Sequence, residues 1–106
     1  MVKEIMELAG IPARRNRFPK PPAGTYAVWL EYVETDGPDG MPPGIYRHDI
    51  SIEVYSPKPD DKAELAIEAA LCVYNRQWTK QDRYWLDDEQ LYQTVYTFSY
   101  IEKRRN

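Results

Sequence analysis

The sequence predicts an α+β domain: a mainly antiparallel sheet of about four strands with helices on one face, in the order α-β-β-α-β-β. Three observations carry this expectation. Residues 45–56 alternate strictly, with His48, Ile50, Ile52 and Val54 pointing one way and Arg47, Asp49, Ser51, Glu53 and Tyr55 the other, which is the period of a half-buried strand. Asp61-Lys62-Ala63-Glu64 opens an Ala/Leu/Ile-rich helix. Residues 91–102 then set Tyr92, Tyr96, Phe98 and Tyr100 at alternate positions, with Thr94 between them.

A chain of 106 residues forms one domain, and a domain of that size buries roughly 60–70% of the surface its unfolded chain exposes. It divides into an N-terminal helix over 1–10, a proline-rich arm over 11–24, and an α+β core over 25–106 with a loop at 35–44. In the first segment Val2, Ile5, Met6 and Ala9 share one helix face, and Gly10 and Pro12 end it. Pro12, Pro19, Pro21 and Pro22 favour an extended course for the arm.

Residues 25–34 read as a strand apolar on both faces, Tyr26, Val28, Leu30 and Tyr32 on one and Ala27, Trp29 and Val33 on the other. Such a strand is covered on both sides, by helices on one and a neighbouring subunit on the other. The Gly/Pro/Asp-rich stretch 35–44 is a loop between two long strands, hence a hairpin with a projecting tip. Pro57 and Pro59 end the next strand, and Asp61 with Glu64 has the spacing of a capping box. The helix runs to about Asn75, burying Leu65, Ala69 and Cys72 with Ile67, Leu71 and Tyr74 alongside. Residues 78–86 form a further strand, and Asp87-Asp88-Glu89 turns into the last one.

Nine Tyr and three Trp stand against two Phe. Rings with a polar tip suit a surface that is covered while its edge stays wet, as at protein interfaces or on a tyrosine-rich sheet face. The net charge of −3 argues against nonspecific nucleic-acid binding, which needs a concentrated basic footprint. The basic clusters at Arg14, Arg15, Arg17 and Lys20 and at Lys103, Arg104 and Arg105 fall in the arm and the last residues. A single cysteine, Cys72, excludes an intramolecular disulfide and reads as a small buried hydrophobe in a reducing compartment. No apolar run approaches the length of a membrane span, and Lys3 and Glu4 leave no signal-peptide core, so the expectation is a cytoplasmic protein.

Reactive constellations do not emerge. The one histidine, His48, lies on the apolar face of a strand and reads as half-buried and hydrogen-bonded, not as a catalytic base. One Cys and one His cannot supply a zinc site. Glu34, Asp36 and Asp39 lack the calcium-loop pattern, and Gly37-Pro38-Asp39-Gly40 lacks the Lys-Ser/Thr of a phosphate loop. The row Tyr92, Tyr96, Phe98 and Tyr100 offers the geometry of an RNA-stacking platform without its basic-aromatic consensus. No enzyme activity, cofactor or metal is expected.

The segments "ELAGIP", "RFPKPPAGTYAVWLEY", "YRHDISIEVYSPKPDDKAELAIEAAL" and "YQTVYTFSYIEKRR" follow one another from residue 7 to residue 105. In that order of elements the chain resembles the small tail-terminator or head–tail joining proteins of long-tailed bacteriophages and their prophage relatives. The resemblance implies a homo-oligomeric ring, commonly a hexamer, at the head-proximal end of the tail tube. Its partners would be tail-tube and head-connector proteins, with DNA passing through the lumen without specific recognition. It would reside in the host cytoplasm during assembly and then in the virion, with no membrane and no catalysis.

Interface candidates come from the residues themselves. Trp29 and Tyr32 lie on the strand with two apolar faces; Asp36, Asp39 and Met41 lie in the loop; and Arg14, Arg15 and Arg17 lie in the arm. The alternatives are an intracellular adaptor or regulator that binds one protein through its aromatic sheet, and a nucleic-acid-binding module.

Overall fold

The computed structural model describes residues 1–35 and 44–104. In chain order the elements are α1 (Val2–Ala9), β1 (Ala13–Arg15), β2 (Tyr26–Thr35), β3 (Ile45–Ser56), α2 (Asp61–Val73), β4 (Trp78–Leu86) and β5 (Leu91–Lys103). The strands form one mixed sheet in the order β1-β2-β3-β5-β4, and α1 and α2 lie side by side on one face. Among the described residues no helix is long and apolar enough to cross a membrane.

The α+β class and the antiparallel core of the sheet agree with expectation, while the strand count does not. The arm contributes a fifth strand, β1, which runs parallel to β2 with Ala13 opposite Ala27 and Arg15 opposite Trp29. Its prolines flank the strand, and the Pro12 carbonyl accepts from the Ala27 amide at 2.9 Å. A three-residue strand is too short to show a period, so only the partner strand reveals it.

The long strands owe their pairing to alternation. β2 and β3 pair antiparallel from Tyr26–Tyr55 to Thr35–Tyr46, as the hairpin reading required, and β3 pairs with β5 over twelve residues. Gly44 enters β3 with a left-handed φ of 86°, and its carbonyl accepts from the Arg104 amide at 2.6 Å. A Cβ at Gly44 would run into the Arg104 carbonyl, so glycine is required there.

On the helix side, Ile50, Ile52, Val54, Tyr96 and Phe98 of the sheet meet Val2, Ile5 and Met6 of α1 and Ile67, Ala70 and Leu71 of α2. The terminal helix therefore docks within its own chain. Gly10 closes it in the left-handed conformation, its amide donating to the Met6 and Glu7 carbonyls. The aromatic row falls on this covered side, with Tyr96 fully buried, which removes it as a stacking platform.

Helix α2 departs from its expected setting in two ways. Its cap is Asp60, whose Oδ1 accepts from the Ala63 amide at 3.0 Å while Oδ2 accepts from the Thr25 hydroxyl at 2.6 Å. Asp61 and Glu64 thus make no capping box, and Asp61 instead pairs with Arg83. The helix is also rotated: Glu64, Ile67, Ala70 and Leu71 face the sheet, while Leu65, Ala69 and Cys72 are exposed. A nearly all-apolar helix has two candidate inner faces. The one chosen brings Glu64 to Lys80 (2.9 Å), Arg83 (2.7 Å) and the Thr94 hydroxyl (3.1 Å). Cys72 is accordingly a surface thiol, contrary to the buried position expected of it.

Candidate interaction surface

Alternation sends Tyr26, Val28, Leu30 and Tyr32 of β2, Asp49, Ser51, Glu53 and Tyr55 of β3, and Gln93, Val95, Thr97 and Ser99 of β5 to the face away from the helices. The arm covers one end of that face. Phe18 meets Tyr26 edge-on at 5.4 Å between ring centres, Tyr26 stacks on Tyr55 at 5.3 Å, and the Arg14 guanidinium lies 5.8 Å from the Phe18 ring. Beyond the arm the sheet is bare, with Leu30 42% and Tyr32 62% exposed.

Two cross-strand rows shape this bare region, Leu30–Ser51–Thr97–Thr79 and Tyr32–Asp49–Ser99. Large side chains on β2 and short ones on β3 and β5 leave an open groove of about 640 Å³. Its polar groups are tied to one another: Asp49 Oδ1 accepts from the Ser99 hydroxyl at 2.5 Å and from Arg47 Nε at 3.2 Å, and the Thr79 and Thr97 hydroxyls lie 2.5 Å apart. The Ser99 hydrogen bond, with Arg47 beside it, holds the Asp49 carboxyl below the usual range. The surface offers an apolar wall, a flat hydroxyl-lined floor and one carboxylate. It suits a packed partner element.

The helix side holds a second polar cluster. His48 is buried, its Nδ1 2.5 Å from Glu31 Oε2 and its Nε2 2.7 Å from Glu102 Oε1. Its ring stacks parallel on Tyr100 at 4.4 Å. Arg15 stands 3.8 Å behind Glu31, and Arg104 stands 3.0 Å behind Glu102. Burial alone would push the imidazole pKa down, but the hydrogen bonds to Glu31 and Glu102 outweigh it and the pKa rises. With a carboxylate on each nitrogen the ring is held as an imidazolium that donates at both ends. Such a ring has no free nitrogen for base catalysis.

The sequence-derived candidates separate in space. Tyr32 lines the groove, whereas Trp29 lies on the opposite face, half-buried beside α1. Arg15 sits opposite Trp29 and pairs with Glu31. Arg14 leans on Phe18, and the Arg17 amide closes a turn onto the Arg15 carbonyl at 2.8 Å. Asp36, Asp39 and Met41 lie outside the described residues. Sequence reasoning missed Glu31 and Glu102 as the partners of His48, since they stand 17 and 54 residues away and only strand register joins them. It also missed Leu30, Asp49, Ser51, Thr97 and Ser99 as a groove, since alternation separates the two faces of a strand without saying which faces the sheet brings together.

The chain matches no model of a known protein family, and no curated protein is similar to it in sequence.

Proposed function

We propose that this protein is a non-enzymatic structural assembly subunit that forms an oligomeric ring. Its specific role is that of a tail terminator or head–tail joining protein of a long-tailed phage or prophage. The observation that carries the reading is the bare half of the sheet, where Leu30 and Tyr32 stand exposed over a hydroxyl-lined floor while the chain's own arm covers the other half. An apolar wall beside a groove on a rigid sheet is a surface for a protein partner. The resemblance in order of elements supplies the phage assignment: tail-tube and connector proteins as the other partners, DNA crossing the lumen unrecognised, and residence first in the host cytoplasm and then in the virion. The acidic balance of −3 fits a subunit whose contact with DNA is incidental.

Solution mass tests the reading. A discrete oligomer that persists on dilution is expected from sedimentation or native mass spectrometry. A monomer at every concentration up to the sub-millimolar range, tested with and without tail-tube protein, would overturn it in favour of an adaptor. Adding DNA across a salt series is expected to leave the oligomer unchanged.

A further inference from the structure

We propose that the open groove of one subunit takes the outer face of helix α2 from a second copy, so that the chain assembles head to tail; this rests on the assembly reading above and names its contact.

The first observation is that α2 has two apolar faces and buries only one. Ile67, Ala70 and Leu71 are in the core, yet Leu65 and Val73 are 65% and 67% exposed, with Ala69 and Cys72 exposed between them. At 3.6 residues per turn, Lys62, Leu65, Ala69, Cys72 and Val73 fall within an arc of about 100° directed away from the sheet. A surface helix of a globular protein is ordinarily polar on that side. Here the carboxylates of α2 are turned elsewhere: Asp61 and Glu64 pair with Arg83, and Glu68 accepts from Lys80 and from the Tyr96 hydroxyl at 2.7 Å. The arc keeps one charge, Lys62, and it is positive.

The groove has the complementary form. It crosses β2, β3, β5 and β4, three spacings or about 14 Å, against a helix diameter of about 10–12 Å. Ser51, Thr97 and Ser99 let a helix backbone come close, Leu30 and Tyr32 give it an apolar wall, and the Asp49 carboxylate lines the site. An apolar stripe with a single cation, Lys62, therefore meets an apolar wall beside a single carboxylate, Asp49. Helix on sheet is also the packing the chain already uses on its other face.

The two surfaces lie on opposite sides of the molecule, so one chain cannot join its own stripe to its own groove. Between copies they make a heterologous contact, which leaves one free stripe and one free groove at each step and ends only when the rotation between neighbours closes a ring.

Two variants test this together. Leu65→Asp spoils the stripe and Leu30→Asp spoils the groove, both at exposed positions whose change leaves the thermal transition within a few degrees of wild type. Each variant alone is expected to fall to the 12.5 kDa monomer. Mixed in equal amounts, they keep one intact stripe and one intact groove between them and are expected to give dimers and nothing larger. The native thiol gives a second readout. With Cys72 on the stripe and Ser51→Cys on the floor, mild oxidation is expected to give a ladder of cross-linked chains. An oligomer that survives Leu30→Asp and Leu65→Asp, or cross-links only through Cys72 to Cys72, overturns the docking and leaves the assembly reading standing. A wild-type chain that never leaves the monomer overturns the assembly reading itself.

Discussion

The two faces of the sheet come from the same strands and treat their polar groups in opposite ways. On the helix side two ionisable groups each hold several elements at once: Glu64 of α2 holds Lys80 and Arg83 of β4 and Thr94 of β5, and His48 of β3 holds Glu31 of β2 and Glu102 of β5. On the open side the polar groups of the groove pair within the sheet alone, Asp49 with Arg47 and Ser99, and Thr79 with Thr97. The Glu64 network joins α2 to the sheet, the His48 cluster ties β2, β3 and β5 together, and both are costly to break. The pairing on the open side leaves a level surface that can be covered at little cost, because its hydroxyls already have partners. One face holds the fold together and the other is free for something else.

The largest expected effect lies on the helix side. Glu64→Ala removes the acceptor from Lys80, Arg83 and Thr94 at a site only 5% exposed. Lys80 and Arg83 reach solvent and keep Glu68 and Asp61, so the main loss is the buried Thr94 hydroxyl left without its acceptor, about 1–3 kcal/mol. Urea denaturation measures it. An effect below 1 kcal/mol would mean that the network does not join α2 to the sheet.

The His48 clasp should appear as a pH dependence. Its folded pKa lies above the ordinary 6.5, so its contribution is fully present below pH 6.5 and is lost as pH rises through the folded value. Urea midpoints compared between pH 6 and pH 9 are expected to favour the wild type over His48→Gln more at the acid end. The reverse sign would show that the ring is neutral between its carboxylates. Glu64 titrates in the opposite sense. Burial raises its pKa, but hydrogen bonds from Arg83, Lys80 and Thr94 hold it below 4.5, so its contribution is lost only as pH falls through that lowered value. The two clasps leave a window between them in which both are intact.

The smallest expected effect on stability belongs to the open face. Tyr32→Ser, at a position 62% exposed, should change stability by no more than about 0.5 kcal/mol. Its effect is expected in solution mass, where the oligomer dissociates at lower dilution than wild type. A loss of stability comparable to Glu64→Ala would erase the contrast between the two faces.

Alternation and capping signals made much of this architecture legible. β3 begins at Ile45 and ends at Ser56 as its pattern requires, and the period alone grouped Leu30 with Tyr32 on β2 and Asp49 with Ser51 on β3, which form the groove wall and part of its floor. What escaped had physical causes. β1 is held by three pairs to β2 and has no period of its own. The rotation of α2 depends on Glu64 finding two cations on β4, which no local pattern in a helix rich in alanine and leucine encodes. Residues 31 and 102 join His48 only through the register of two ladders. Burial period is a local property, whereas partnership is a product of topology.

The clamp between Gly44 and Arg104 has a consequence for how such a chain can diversify. The re-entry point into β3 is fixed by main-chain atoms, a carbonyl on one side and an amide on the other, with ten paired positions of β2 and β3 below it. Lengthening the span between Thr35 and Gly44 costs little, since closure entropy grows only with the logarithm of loop length. A peptide tag or a different recognition sequence joined between Thr35 and Gly44 is therefore expected to leave the register of β2 and β3 as it is, which makes the site a cassette port.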